Sequence, residues 1–466
     1  MSKADKSQRK TIFVCQQCGR ESLKWLGRCP DCQEWNSFVE TVISPPGSRH
    51  STSPPSPPQE LSQIVIEPTD RFPLSIGEFN RVLGGGLVAG SLVLISGDPG
   101  IGKSTLLLQA ADSIARDRGK VVYISGEETL HQIKLRSGRL GISGEGLYLL
   151  AETDMGAILN HIEQLSPALV IIDSIQTVYL PDLQTTPGSV TQVRECTLRL
   201  MQQAKANAVP IFIAGHVTKD GAIAGPRILE HIVDAVLYLE GEAFSAYRLL
   251  RCVKNRFGST NEIGVFEMKG KGLIEVENPS MAFLSQRGGE AMGSAVVSPL
   301  EGSRPMLVEI QALTTPTSFG LPRRTANGVD FNRLLLVTAV LTKRVGLRLG
   351  NQDIIVNVTG GLKIGEPSAD LGIALAIASS ARDTAVDPHL VAIGEVGLSG
   401  ELRAVAQLDR RIAEAARMGF RRALVPKTGA SISTPKNIEL IPAGTLREAI
   451  RAGLVKNEAK AEARGN

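Results

Sequence analysis

Short apolar runs, set off by glycine, proline or charge, recur through the middle of this chain. Leu92–Ser96, Val121–Ser125, Leu169–Asp173 and Pro210–Ala214 are apolar nearly throughout. Runs without polar alternation predict strands buried on both faces, and so a largely parallel sheet. Between them lie segments with helical spacing, such as Leu106–Ala115. Alternating strands and helices over residues 61–284 predict an α/β domain.

A second globular region is predicted over residues 285–455. Val296–Ser298, Leu307–Leu313 and Ile354–Val358 read as strands. Asp330–Val345 puts Phe331, Leu334, Leu335, Thr338, Leu341 and Val345 on one helical face, and Asp370–Ser380 is a helix of Ala, Leu and Ile. Residues 1–43 form a cysteine-bearing unit. Residues 44–60, which include SPPGSRHSTSPPSPP, read as an extended linker, and residues 456–466 as a flexible tail.

Composition adds limits. Of 466 residues, 42% are hydrophobic and 21% charged, the balance of a globular protein. Aromatic residues make up only 4%, so the cores rest on Ala, Val, Ile and Leu. The net charge of +4 is too small to imply nucleic acid, and any DNA site must be local. No apolar run reaches membrane-spanning length, and Met1–Lys10 is polar and charged, so a cytoplasmic protein without membrane partners is expected.

The segment Gly97, Asp98, Pro99, Gly100, Ile101, Gly102, Lys103, Ser104, Thr105 satisfies G-x-x-x-x-G-K-[ST] between a strand and a helix, the context this phosphate-binding loop requires. Its glycines let several N–H groups converge on the phosphates of ATP, and the helix N-terminus adds its positive dipole end. Lys103 is expected on the β- and γ-phosphates and Ser104 on Mg²⁺. Asp173 closes the run LVIID at the sheet edge where ligands bind, and is assigned to Mg²⁺ through water. Glu127, in YISGEE, is the candidate for activating the attacking water, with Glu128 as its competitor.

Cys15, Cys18, Cys29 and Cys32 form C-x₂-C…C-x₂-C with ten residues between the pairs. Four thiolates in this spacing predict a closed structural Zn²⁺ site, which a unit of this size needs in order to fold. Lys24, Trp25 and Arg28 on it suit DNA or a partner protein. Cys196 and Cys252 are isolated and read as structural.

GDPGIGKST, YISGEE, LVIIDS and KNRFG at Lys254–Gly258 together resemble the RadA (Sms) family of the RecA/DnaB superfamily. The resemblance runs over nearly the whole chain, and KNRFG is its most specific element. It implies a RecA-like P-loop ATPase core of α/β fold, an N-terminal zinc finger and a C-terminal Lon-protease-like α+β domain. It further implies a DNA-dependent ATPase that processes recombination intermediates on single-stranded and branched DNA. Branch migration with the RecA recombinase and assembly as a homo-hexameric ring helicase are also implied.

Lys254 and Arg256 follow the apolar run Tyr247–Val253. They suit a γ-phosphate across a subunit boundary, DNA phosphates, or a solvated basic turn. In RecA-like rings the loops after the Asp173 and Ala214 strands face DNA. Here those are Gln184–Gln192 and Thr218–Arg227, with Lys219 and Arg227 as the DNA-binding cations. His216 suits a γ-phosphate sensor or a structural histidine.

GEPSADLG at Gly365–Gly372 and AIGEVGLSGELRA at Ala392–Ala404 are similar to the Lon protease. Ser368 falls where Lon carries its nucleophile, but the segment expected to hold the lysine reads AQLDRRI, with Asp409, Arg410 and Arg411. Arginine stays protonated and cannot serve as the base, so a Lon-type ATP-dependent protease is the disfavoured alternative. The domain is expected to be a structural or DNA-binding platform, with Arg323, Arg324, Lys343, Arg344 and Arg348 as a basic surface.

Overall fold

The computed structural model describes residues 10–15, 17–43, 60–63, 71–216, 228–241, 245–284, 291–318, 320–427 and 434–455. The loop carrying Lys219 and Arg227, the side chain of His216, most of the 44–60 linker and the 456–466 tail lie outside the described residues. The described residues fall into two compact units, one drawn from Met1–Glu240 and Arg248–Glu275, the other from Gly241–Tyr247 and Val276–Asn466.

In the first unit, strands Lys10–Cys15, Glu21–Ser22 and Phe38–Ile43 form a small antiparallel sheet. Its core is Cys15, Cys29 and Phe38, too little apolar surface to hold a fold by burial alone.

The rest of the unit is built on a nine-stranded sheet. Its order is Gly272–Glu275, Ile263–Lys269, Tyr247–Asn255, Ala235–Glu240, Leu92–Gly97, Ile211–His216, Leu169–Asp173, Val121–Ser125, Leu147–Ala151. The six strands from Ala235–Glu240 onward run parallel. Tyr247–Asn255 runs antiparallel to Ala235–Glu240. Alternate residues of the central strands feed two apolar layers: Val93, Ile95, Ile171 and Phe212 on one face, Leu92, Leu94, Val170 and Ile172 on the other. This two-sided burial is why those strands read as unbroken apolar runs. Leu147–Ala151 is an edge strand, only partly buried, and its pattern did not announce it.

The second unit carries a seven-stranded mixed sheet in the order Arg324–Asn327, Gln352–Val358, Val308–Pro316, Ser294–Val297, Leu390–Ala392, Arg422–Pro426, Glu439–Ala443. Helix Asp370–Arg382 is buried continuously from Asp370 to Ser379 and packs on strands Ser294–Val297 and Val308–Pro316. The helix expected over Asp330–Val345 is present as Phe331–Val340, capped by the Asp330 side chain, and continues as a π-turn over Leu341–Val345.

Candidate functional site

The strand Leu92–Gly97 delivers the glycine-rich loop to the C-terminal edge of the parallel sheet, and helix Lys103–Arg118 starts at the lysine itself. Gly102, with φ 118°, turns the loop into the helix, and a Cβ there would meet Met268 Cε at 2.7 Å. Lys103 is buried, and its Nζ donates to the carbonyls of Gly97 at 2.8 Å and Asp98 at 3.0 Å. Burial lowers its pKa, while the carboxylates of Asp173, Glu127 and Asp98 pull the other way. The buried Arg248 reaches the same loop, its Nε 3.3 Å from the Ile101 carbonyl.

Asp173 and Glu127 come together at this edge from neighbouring strands. Gly126 makes the approach possible: a Cβ there would fall 2.1 Å from Thr177 Oγ1. Its N–H donates to the Asp173 carbonyl at 3.2 Å. Ser174, joined to Asp173 by a cis peptide, donates from Oγ to Glu127 Oε1 at 2.6 Å. Glu128 turns elsewhere and is ion-paired with Arg136 of the next helix. Asp173 accepts a short hydrogen bond from the buried Tyr123 hydroxyl. Burial, with the Asp173 charge beside it, pushes the Tyr123 phenol well above its ordinary pKa.

Lys254 and Arg256 lie at the opposite edge of the sheet from their own phosphate loop. Asn255 pairs with Ala235, which is level with Val93 at the start of the P-loop strand. Lys254 Nζ bonds to the carbonyls of Glu230 and, at 2.8 Å, Val233. Arg256 Nη1 is 3.2 Å from the buried Asp234 Oδ1. Arg71 holds the Phe257 carbonyl at 2.7 Å. The basic turn is therefore held on both sides by the fold.

The Gln184–Gln192 segment departs from its reading as a polar DNA loop at its end, where Val190, Thr191 and Gln192 are helical and Val190 is buried. Gln192 lies inside helix Val190–Asn207 and is buried. Its side chain accepts from Leu180 N at 2.9 Å and donates to the carbonyls of Leu180, Leu183 and Thr185. It pins the loop from within and is not presented outward.

The four cysteines of the small sheet fit a tetrahedral metal. Their sulfurs all lie within 4.8 Å of one another, with Cys15–Cys32 at 3.6 Å and Cys18–Cys29 at 3.4 Å. Zn–S bonds of about 2.3 Å require sulfur–sulfur edges near 3.8 Å. Cys196 and Cys252 are buried, and burial raises their pKa to about 12 and about 11, as expected of inert structural thiols.

In the second unit Ser368 sits in the turn before helix Asp370–Arg382, buried, donating to Glu366 Oε1 at 2.5 Å. The side chain brought against it is Arg411, also buried.

Three family models match the chain: "Rubredoxin metal binding domain" over residues 13–40, "AAA domain" over 55–222, and "Subunit ChlI of Mg-chelatase" over 319–429. Loop, acids and sheet define a RecA-like P-loop ATPase carrying a four-cysteine zinc-binding site. Among curated proteins, DNA repair protein RadA of Halalkalibacterium halodurans is 55% identical over 96% of this chain and 99% of its own length. Those of Bacillus subtilis and Listeria monocytogenes are 53% and 52% identical, with the same coverage. The chain belongs to the RadA family of DNA repair proteins. Among solved structures, a KaiC-like protein of Pyrococcus horikoshii OT3 is 20% identical, at a TM-score of 0.38 over 44% of this chain and 98% of that one. No helix among the described residues is long and apolar enough to cross a membrane.

Proposed function

We propose that this ATPase is a cytoplasmic DNA motor of recombinational repair. It would couple hydrolysis to movement along single-stranded and branched DNA, and drive branch migration of strand exchange begun by RecA. Its working form would be a homo-hexameric ring with helicase activity. The observation that carries this reading is the division of charge across one sheet. The phosphate loop, Asp173 and Glu127 stand at one edge, and Lys254 and Arg256 at the other. A basic turn so placed suits the nucleotide of a neighbouring subunit.

Within one site, Lys103 and the loop N–H groups would bind the phosphates, and Ser104 and Asp173 would hold Mg²⁺, which offsets phosphate charge. Glu127, held by Ser174, would orient the attacking water. Lys254 and Arg256, from a neighbour, would stabilise charge that develops in transfer. DNA would pass along the loops after the Asp173 and Ala214 strands, with Lys219 and Arg227 on its phosphates. The division into residues 1–43, 44–60, 61–284, 285–455 and 456–466 belongs to the same proposal.

The test is turnover with and without single-stranded DNA, together with strand displacement on a fork, for the full chain and for Lys103→Ala. Stimulation by DNA, and loss of both activities in the variant, are expected. Turnover indifferent to DNA would leave an ATPase without a motor.

A further inference from the structure

Tyr123 is a polar residue in the middle of an apolar strand. It lies fully buried in the same core cluster as Ile95, Ile171 and Phe212. Nothing in the packing of that layer requires a hydroxyl. The hydroxyl is nevertheless committed: it donates to Asp173 Oδ2.

A phenol offers one proton and lone pairs. Its proton goes to Asp173 Oδ2. The same hydroxyl occupies one Asp173 oxygen and leaves Oδ1 for water or metal.

Resting on the reading of Asp173 as the carboxylate that holds Mg²⁺ through water, we infer that Tyr123 is a positioning residue for Mg²⁺-nucleotide, its hydroxyl orienting the Asp173 carboxylate. The residue touches neither metal nor nucleotide. It would act through Asp173, as groups behind metal ligands generally do.

The test uses the full-length protein and a fluorescent ADP analogue, titrated in EDTA and then across a Mg²⁺ series. Tyr123→Phe, which removes one oxygen, is compared with Asp173→Asn. Tyr123→Phe should bind nucleotide in EDTA as the unaltered protein does. The Mg²⁺ needed for tight binding should rise by roughly 10- to 100-fold, the usual scale for partners behind metal ligands. A Tyr123→Phe curve lying on that of the unaltered protein, while Asp173→Asn shifts, overturns the inference. So does a lowered melting temperature with no change in Mg²⁺ dependence, which marks a packing role only. If Asp173→Asn does not shift the curve, it is the Mg²⁺ assignment that fails. Should Tyr123→Phe not fold, 3-fluorotyrosine at position 123 gives a second readout by fluorine NMR. Its resonance must move with Mg²⁺ and ADP but not with ADP in EDTA, and indifference to Mg²⁺ overturns the inference.

Discussion

Arg411 Nη1 stands 2.9 Å from Ser368 Oγ, and both side chains are buried. The same guanidinium forms a bidentate pair with Glu366 and donates to the carbonyls of Ser298 at 2.6 Å and Ala406 at 2.9 Å. A serine–lysine peptidase needs a base that can release its proton, and a guanidinium never does. The cluster reads as a strut. Ser368→Ala should leave ATP turnover unchanged, and no peptide cleavage should appear in either protein. Arg411→Ala should cost about 3 kcal/mol in urea unfolding, because it strands a hydrogen-bonded carboxylate. The Arg411 and Ser368 bonds, working against burial, hold the Glu366 pKa below its usual 4.5. Stability from this link is therefore complete above that pH and is lost on acidification below it. That acid sensitivity should shrink in Arg411→Ala. Cleavage that vanishes in Ser368→Ala would falsify the strut.

Glu127 and Glu128 separate cleanly by partner. Glu127 takes the Ser174 hydroxyl beside Asp173, and Glu128 takes Arg136. Glu127→Gln should bind ATP normally and turn it over roughly 10²- to 10⁴-fold more slowly, the range for a lost general base. Glu128→Gln should keep most of the rate. Single-turnover kinetics on both variants decides, and the reverse ranking would move the base to Glu128.

Zinc should be present at one per chain. Cys29 is almost wholly buried against Cys15 and Phe38, so Cys29→Ser removes a ligand and leaves a poor core. Metal analysis should show zinc lost, with proteolysis of the small sheet as the accompanying sign. Undiminished zinc would refute the four-cysteine assignment.

Lys254→Ala should bind ATP yet lose DNA-stimulated turnover and strand movement. Mixed with Lys103→Ala, it should regain some hydrolysis, because mixed assemblies contain an intact loop beside an intact Lys254. If Lys254 contacts only DNA, turnover without DNA stays normal and DNA affinity falls, with a shallower salt dependence. A melting curve is the control, since the substitution frees the carbonyls of Glu230 and Val233.

The sequence made the central sheet legible because its inner strands are buried on both faces and therefore unbroken in pattern. The edge strand Leu147–Ala151 and the short strands of the second unit lack that signature. Spacing revealed the phosphate loop and the four cysteines, since both are local motifs. What stayed hidden depends on which way a side chain turns. Gln192 looked like a polar loop residue and is an internal staple. Arg411 looked like the absence of a lysine and is the centre of a buried cluster. Tyr123 had one visible clue, a hydroxyl amid VVYIS, where every flanking aliphatic is buried.

The strand Tyr247–Asn255 touches its own phosphate loop near one end, through Arg248, and carries Lys254 near the other. At about 3.3 Å per residue the two lie roughly 20 Å apart, so no side-chain rearrangement lets a chain serve itself. If Lys254 works on a neighbour, each polypeptide holds halves of two different sites. Activity per chain would then climb with concentration before levelling, and dilution would silence it with every fold intact. A single defective copy in a ring would idle two stations, its own and the next. Abundance itself would become the on-switch, keeping scattered copies from consuming ATP until enough of them gather on one length of DNA.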